Sequence, residues 1–130
     1  MRESDLVSGI IKLCYPILKL YRANAGTFRS ADGKRVVKGM PKGFPDLYGV
    51  ILGNKTRDGR PVPVFIEAKV HPNQPTPEQI GFIDEHRAGG CCAGVCYTVS
   101  EAWRLIRPYI KPELDKYSDD VLKRWEMMSG

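Results

Sequence analysis

Three residues of this chain have types and spacing that can do chemistry: Asp46, Glu67 and Lys69. Asp46 follows the breaker Gly43-Phe44-Pro45 and opens the apolar stretch Leu47-Tyr48-Gly49-Val50-Ile51-Leu52, which reads as a largely buried strand. After the turn Thr56-Arg57-Asp58-Gly59 comes a second strand, in which Val62, Val64, Ile66, Ala68 and Val70 share one face by alternation. Glu67 and Lys69 therefore share the other. Charged side chains are rarely buried without partners, and a divalent cation is one such partner. If the two strands are antiparallel neighbours, roughly 5 Å apart, Asp46 lies close to Glu67. Two hard carboxylates then make a magnesium site whose remaining positions go to water and substrate oxygens. Lys69, roughly 7 Å further along the same face, can orient and acidify an attacking water or neutralise charge growing on phosphorus. With an ion polarising the phosphoryl oxygen, that division of labour suits phosphodiester hydrolysis. Taken alone, Glu67 and Lys69 can equally be an exposed pair on the wet face of a one-sided sheet, worth little.

The hydrophobic pattern supplies the elements that must position these residues. Between Ser4 and Tyr21, Leu6, Val7, Ile10, Ile11, Leu13, Cys14, Ile17 and Leu18 recur near helical spacing, and Pro16 is predicted to kink or split that helix. Asp32-Gly33 predicts a hairpin turn between Thr27-Phe28-Arg29 and Lys34-Arg35-Val36-Val37. Thr76-Pro77-Glu78-Gln79 reads as a helix start, with Thr76 as N-cap, Pro77 in the first turn and Gln79 closing a capping box; Gly89-Gly90 ends the helix. Cys91 to Val99 is a further strand. Ser100 is predicted to cap a short helix that Pro108 stops, and Val121, Leu122 and Trp125 mark a helix between Ser118 and Met128. The order predicts an α/β protein with a mixed sheet flanked by helices.

At 130 residues, 42% hydrophobic and 27% charged, the chain has the composition of one globular domain. No apolar run approaches the roughly 18 residues of a membrane span. The opening residues Arg2, Glu3 and Asp5 lack the order of a secretory signal, so a cytoplasmic location is expected. The net charge of +5 is concentrated: Arg29, Lys34, Arg35, Lys38 and Lys42 face only Asp32 between positions 29 and 43, whereas Lys111 to Glu126 holds four basic and five acidic residues. Cys14, Cys91, Cys92 and Cys96, with only His71 and His86 beside them, lack the paired knuckles of a zinc site and read as reduced, buried thiols. His71 and His86 are left unassigned; His71 follows the Glu67 strand and could touch substrate, but reads first as a solvated loop histidine.

Glu3, the Tyr21-Arg22-Ala23-Asn24-Ala25-Gly26 stretch, Gly43-Phe44-Pro45-Asp46, Glu67-Ala68-Lys69 and Gln79 stand in order over residues 3 to 106. In this the chain resembles the virus-type replication-repair nuclease (VRR-NUC) branch of the PD-(D/E)xK nuclease superfamily. The resemblance implies a restriction-endonuclease-like core over residues 1–107, with 108–130 as a helical extension packed on the same domain. It implies that Asp46, Glu67 and the Ala68 carbonyl hold Mg2+ or Mn2+, and that Lys69 serves the attacking water. Glu3 would approach from the first helix, although a helix-start acid is also favoured by the macrodipole alone. Gln79 would hold the water or a substrate phosphate, or only close the capping box with Thr76; nothing forbids both. Arg29, Lys34, Arg35, Lys38 and Lys42 would contact DNA phosphates without reading sequence, although basic hairpins also protect exposed sheet edges.

The activity this implies is a Mg2+- or Mn2+-dependent endonuclease acting on branched DNA such as four-way (Holliday) junctions or flaps, of the stand-alone kind found in phages. Matched nicks in a twofold junction predict a homodimer, with candidate contacts in the apolar first helix and around Trp125. One rival is a catalytically idle DNA-binding module of a replication or recombination complex, which has no need of an acid pair beside phosphate. A sequence-specific restriction nuclease has little room for base readout in 130 residues.

Overall fold

The computed structural model describes residues 1–23, 27–29, 31–34 and 36–129. Among these residues four α-helices and six strands succeed one another as α1 (Glu3–Cys14), β1 (Tyr21–Arg22), β2 (Thr27–Arg29), β3 (Val36–Lys38), β4 (Leu47–Ile51), β5 (Val62–Ala68), α2 (Pro77–Ala88), β6 (Cys92–Cys96), α3 (Val99–Ile106) and α4 (Asp119–Ser129). The main sheet has the order β1-β4-β5-β6, antiparallel except for the β5–β6 pair, while β2 and β3 form a separate antiparallel hairpin. Parallel strands need a crossover, and α2 provides it. The expected mixed sheet flanked by helices is the fold observed.

Alternation along β4 and β5 sorts the two faces. Leu47, Ile51, Val64, Ile66 and Ala68 are buried in one apolar core with Leu6, Ile10 and Leu13 of α1 and Ala102, Trp103 and Ile106 of α3. Phe65, pointing the other way, packs edge-on against Phe82 of α2 at 5.1 Å between ring centroids. The tail closes over α3. The Trp103 indole N–H donates to Asp115 at 2.8 Å, Arg107 pairs with Asp115 and Asp119, both at 2.7 Å, Arg104 pairs with Glu126, and Leu122 is buried. The free thiols of Cys14, Cys92 and Cys96 lie in the core, where burial pushes Cys14 and Cys92 up to about 12. Among the described residues no helix is long and apolar enough to cross a membrane.

Several boundaries differ from the sequence expectation, each for a local reason. Helix α1 ends at Cys14, because Pro16 has no N–H and holds Tyr15 in an extended conformation. Ile17, Leu18 and Leu20 are nonetheless buried, by an irregular segment and not by a kinked helix. The cap of α3 is Thr98 and not Ser100: the Thr98 hydroxyl accepts from the Glu101 N–H at 3.2 Å, and the Glu101 carboxylate accepts from the Thr98 N–H at 3.1 Å. Ser100 is buried in the first turn. Lys42 does not belong to the basic hairpin, whose second strand ends at Lys38; it pairs with Glu78 at 3.5 Å.

The turn before β4 is wedged against the start of α2. Gly43 has φ +91°, and a Cβ there would stand 2.8 Å from the Glu78 carbonyl oxygen, so both conformation and space require glycine. Phe44 then contacts Tyr48, Phe65 and Phe82 with ring centroids at 5.9, 6.0 and 5.2 Å, and Pro45 is buried. Gly43→Ala is expected to destabilise the fold by about 2 kcal/mol, seen as a lower midpoint in a calorimetric melt. An unchanged midpoint would show that the turn relaxes freely away from α2.

Candidate metal centre

The register of β4 and β5 builds the centre. Leu47 pairs with Ile66, so one step further Asp46 stands opposite Glu67. The Asp46 N–H donates to Glu67 Oε1 at 3.2 Å, and the Ala68 N–H donates to Asp46 Oδ2 at 3.0 Å. Each acid is thus aimed by the backbone of the strand that carries the other. The Ala23 N–H adds a bond to the Asp46 carbonyl at 2.8 Å from the β1 side.

A third carboxylate comes from α1. Glu3 places an oxygen so that one ligand atom from each of Glu3, Asp46 and Glu67 lies within 4.8 Å of the others. Glu3 also occupies the first helical turn with Asp5, where the macrodipole favours acids, so its two sequence readings describe one placement. The helix is docked there by the core contacts of Leu6 and Ile10 and by Arg22, whose guanidinium donates to Ser8 Oγ at 2.9 Å.

Glu67 is held from two further sides. Lys69 Nζ lies 3.7 Å from its Oε2, and Gln79 Nε2 donates to the same oxygen at 3.2 Å. Gln79 also closes the capping box: its Oε1 accepts from the Thr76 N–H at 2.8 Å, and its own N–H donates to Thr76 Oγ1 at 3.2 Å. Of the roles considered for Gln79 from sequence, the capping box is filled by its Oε1 and backbone N–H, and its Nε2 is spent on Glu67, since an amide carries an acceptor and a donor. The exposed-pair alternative for Glu67 and Lys69 is excluded, because Glu67 is only 1% exposed.

Burial is the largest influence on the Glu67 carboxyl. The adjacent Asp46 charge and a hydrogen bond to that side chain act in the same direction; Lys69 and the Asp46 N–H oppose them, and the balance lifts Glu67 to about 8.

Compared with known proteins, the chain matches no family model, no curated protein and no solved structure.

The five residues predicted around the acid pair, Glu3, Asp46, Glu67, Lys69 and Gln79, converge in space. Ala68 joins them through its N–H on Asp46, a role not foreseen from sequence, where its carbonyl was singled out. The basic residues are placed less completely. Lys34 donates its N–H to Asp32 Oδ1 at 3.0 Å in the hairpin turn; Arg35 and the side chains of Arg29 and Lys38 lie outside the described residues. His71 is exposed in a turn, as read from sequence, and stacks on Tyr97 at 4.2 Å; His86, within α2, stacks on Phe82 at 3.8 Å. Phe44 was also missed as a packing anchor, although a large ring between Gly43 and Pro45 is a visible signal.

Hard oxygen donors on three different elements suit a magnesium- or manganese-sized ion. In metal-free protein the raised Glu67 pKa has a definite thermodynamic sign. The neutral acid is favoured in the fold, so this contribution is complete below the usual 4.5 and is lost as pH rises through about 8. Thermal melts in EDTA should therefore show the stability of wild type falling, relative to Glu67→Gln, across that window, with Mn2+ restoring wild type most at the alkaline end. Parallel pH profiles for the two proteins would mean that Glu67 is not strained as a charge.

Proposed function

We propose that this chain is a metal-dependent DNA endonuclease of the PD-(D/E)xK fold, acting on branched DNA such as four-way junctions or flaps. The observation that carries the proposal is the convergence of Glu3, Asp46 and Glu67 within 4.8 Å, with Lys69 3.7 Å from Glu67, which is itself buried in a strand otherwise built from apolar residues. Asp46 and Glu67 would hold Mg2+ or Mn2+, with Glu3 and the Ala68 carbonyl as further oxygen donors. Such an ion supplies Lewis-acid polarisation of the phosphoryl oxygen.

The chain's own groups divide the remaining work. Lys69, 15% exposed at its side chain, orients the attacking water and offers positive charge to the phosphate oxygens as the water oxygen bonds to phosphorus and the ester bond breaks. Gln79 is a positioning residue: its amide fixes Oε2 of Glu67 while α2 fixes the amide. The basic hairpin would neutralise backbone phosphates of the bound DNA. A twofold homodimer would supply the two symmetric sites that a four-way junction requires.

Purified protein should cut a junction or flap with Mg2+ or Mn2+, bind without cutting in Ca2+, whose shell is longer and looser, and do neither chemistry nor metal-dependent binding in EDTA. Lys69→Ala should lower turnover roughly a hundredfold or more while binding stays within a few-fold, because the lysine acts in the transition state. Cleavage that persists in EDTA, or binding with no cleavage of any of these substrates in wild type, would overturn the proposal; the latter outcome is that of an idle binding module.

Replacing Lys34 and Arg35 with alanine should weaken DNA binding alike for all sequences and flatten the log-log salt dependence by up to about two units. An unchanged slope would return the hairpin to edge protection.

A further inference from the structure

The sheet face that carries Asp46 and Glu67 continues away from them into a groove of about 710 Å³. Tyr48 stands two residues beyond Asp46 on β4 and Phe65 two residues before Glu67 on β5, and both rings line the groove. Tyr15 and Tyr21 line it as well. Strand β1 pairs only with Leu47 and Tyr48, so on that side β4 from Gly49 onward has no strand beside it among the described residues, its other side being paired with β5.

The lining combines flat rings with positive charge. Tyr21 lies 5.8 Å from Tyr48 between ring centroids, and Lys19 holds its ammonium 5.5 Å from the Tyr21 centroid. Lys55 marks the other side, donating to the Pro16 carbonyl. Among the described residues no aspartate or glutamate lines the groove. Tyr15 and Tyr21 are 62% and 49% exposed, so both rings have area free for stacking.

We infer that this groove binds the unpaired bases of a DNA single strand whose phosphates pass the Asp46–Glu67 centre, stacking them on Tyr21 and Tyr15 between Lys19 and Lys55. Aromatic platforms flanked by lysine are how single strands are held without sequence readout, since every base offers a π face. Charge decides against a second copy of this chain as the occupant. A twofold contact through the groove would bring Lys19 and Lys55 of both copies into one interface whose described lining holds no acid, in a chain of net charge +5, whereas a polyanion bearing flat rings complements both features.

The inference rests on the nuclease proposal for the identity of the polymer, but base stacking is measurable apart from cleavage. In EDTA, the full chain is titrated into a labelled oligothymidylate of about ten nucleotides and into an abasic phosphodiester of equal length, with anisotropy as the readout. Wild type should prefer the base-bearing strand by about tenfold or more. Tyr21→Ala should remove most of that preference and leave abasic binding unchanged, and Tyr15→Ala provides a second variant at a more exposed ring. Equal affinity of wild type for both strands, or a preference that survives both substitutions, would overturn the inference. So would a loss of dimer mass in Tyr21→Ala by light scattering with the base preference intact, which would give the groove to a second copy. A base preference that depends on Tyr21, in a protein that cuts no DNA with Mg2+, would sustain the groove and defeat the nuclease proposal. Cleavage without base preference would do the reverse.

Discussion

Asp46 and Glu67 face one another across an antiparallel strand pair, and each is fixed by a peptide N–H belonging to the other's strand. A slip of one residue in that register would turn Glu67 into the apolar core and Ile66 onto the polar face. The register is held by the same alternation that builds the core: Val64, Ile66 and Ala68 are fully buried beneath α1 and α3. The hydrophobic pattern and the acid pair are therefore one constraint, in which packing on one face of β5 determines what the other face presents.

Holding a carboxylate in so enclosed a place is unfavourable unless it is paired and hydrogen-bonded. The surroundings of Glu67 answer this only in part. Gln79, Lys69 and a backbone N–H reach it, yet Asp46 stands beside it with a like charge and its pKa remains raised. Three acids drawn together around one lysine are a poor arrangement for stability and a good one for a cation, which would relieve burial and repulsion together. The neighbouring structure is rigid where this matters. Gly43 fits against Glu78 without space for a Cβ, Phe44 is gripped by three rings, and Gln79 is locked by the cap of the helix it begins.

Much of this was legible in the sequence because it depends on local pattern. Alternation marked β5 and the face of Glu67, Thr76 with Gln79 marked the start of α2, and Asp32-Gly33 marked the hairpin. What escaped was decided by competition between elements or by distant partners. The apolar run from Ile17 to Leu20 has helical spacing, but Pro16 breaks the helix and the segment finds its burial in irregular form. Two hydroxyls competed to cap α3, and Thr98 wins because Glu101 is three residues on and returns the bond. Lys42 looked like part of a basic arm until the fold set Glu78 beside it. The Ala68 N–H on Asp46 carries no side-chain signal at all, and only the strand pairing reveals it.

The central claim is that Asp46 and Glu67 form a cation site because the β4–β5 register sets their carboxylates together. It is tested most directly by electron paramagnetic resonance of Mn2+ titrated into the protein with duplex DNA present, comparing wild type with Asp46→Asn and Glu67→Gln. Wild type should take up Mn2+ and quench the free-ion signal, and each single substitution should abolish that uptake while the protein stays folded by circular dichroism. Uptake that is equal in wild type and both folded variants would place the ion elsewhere and contradict the account.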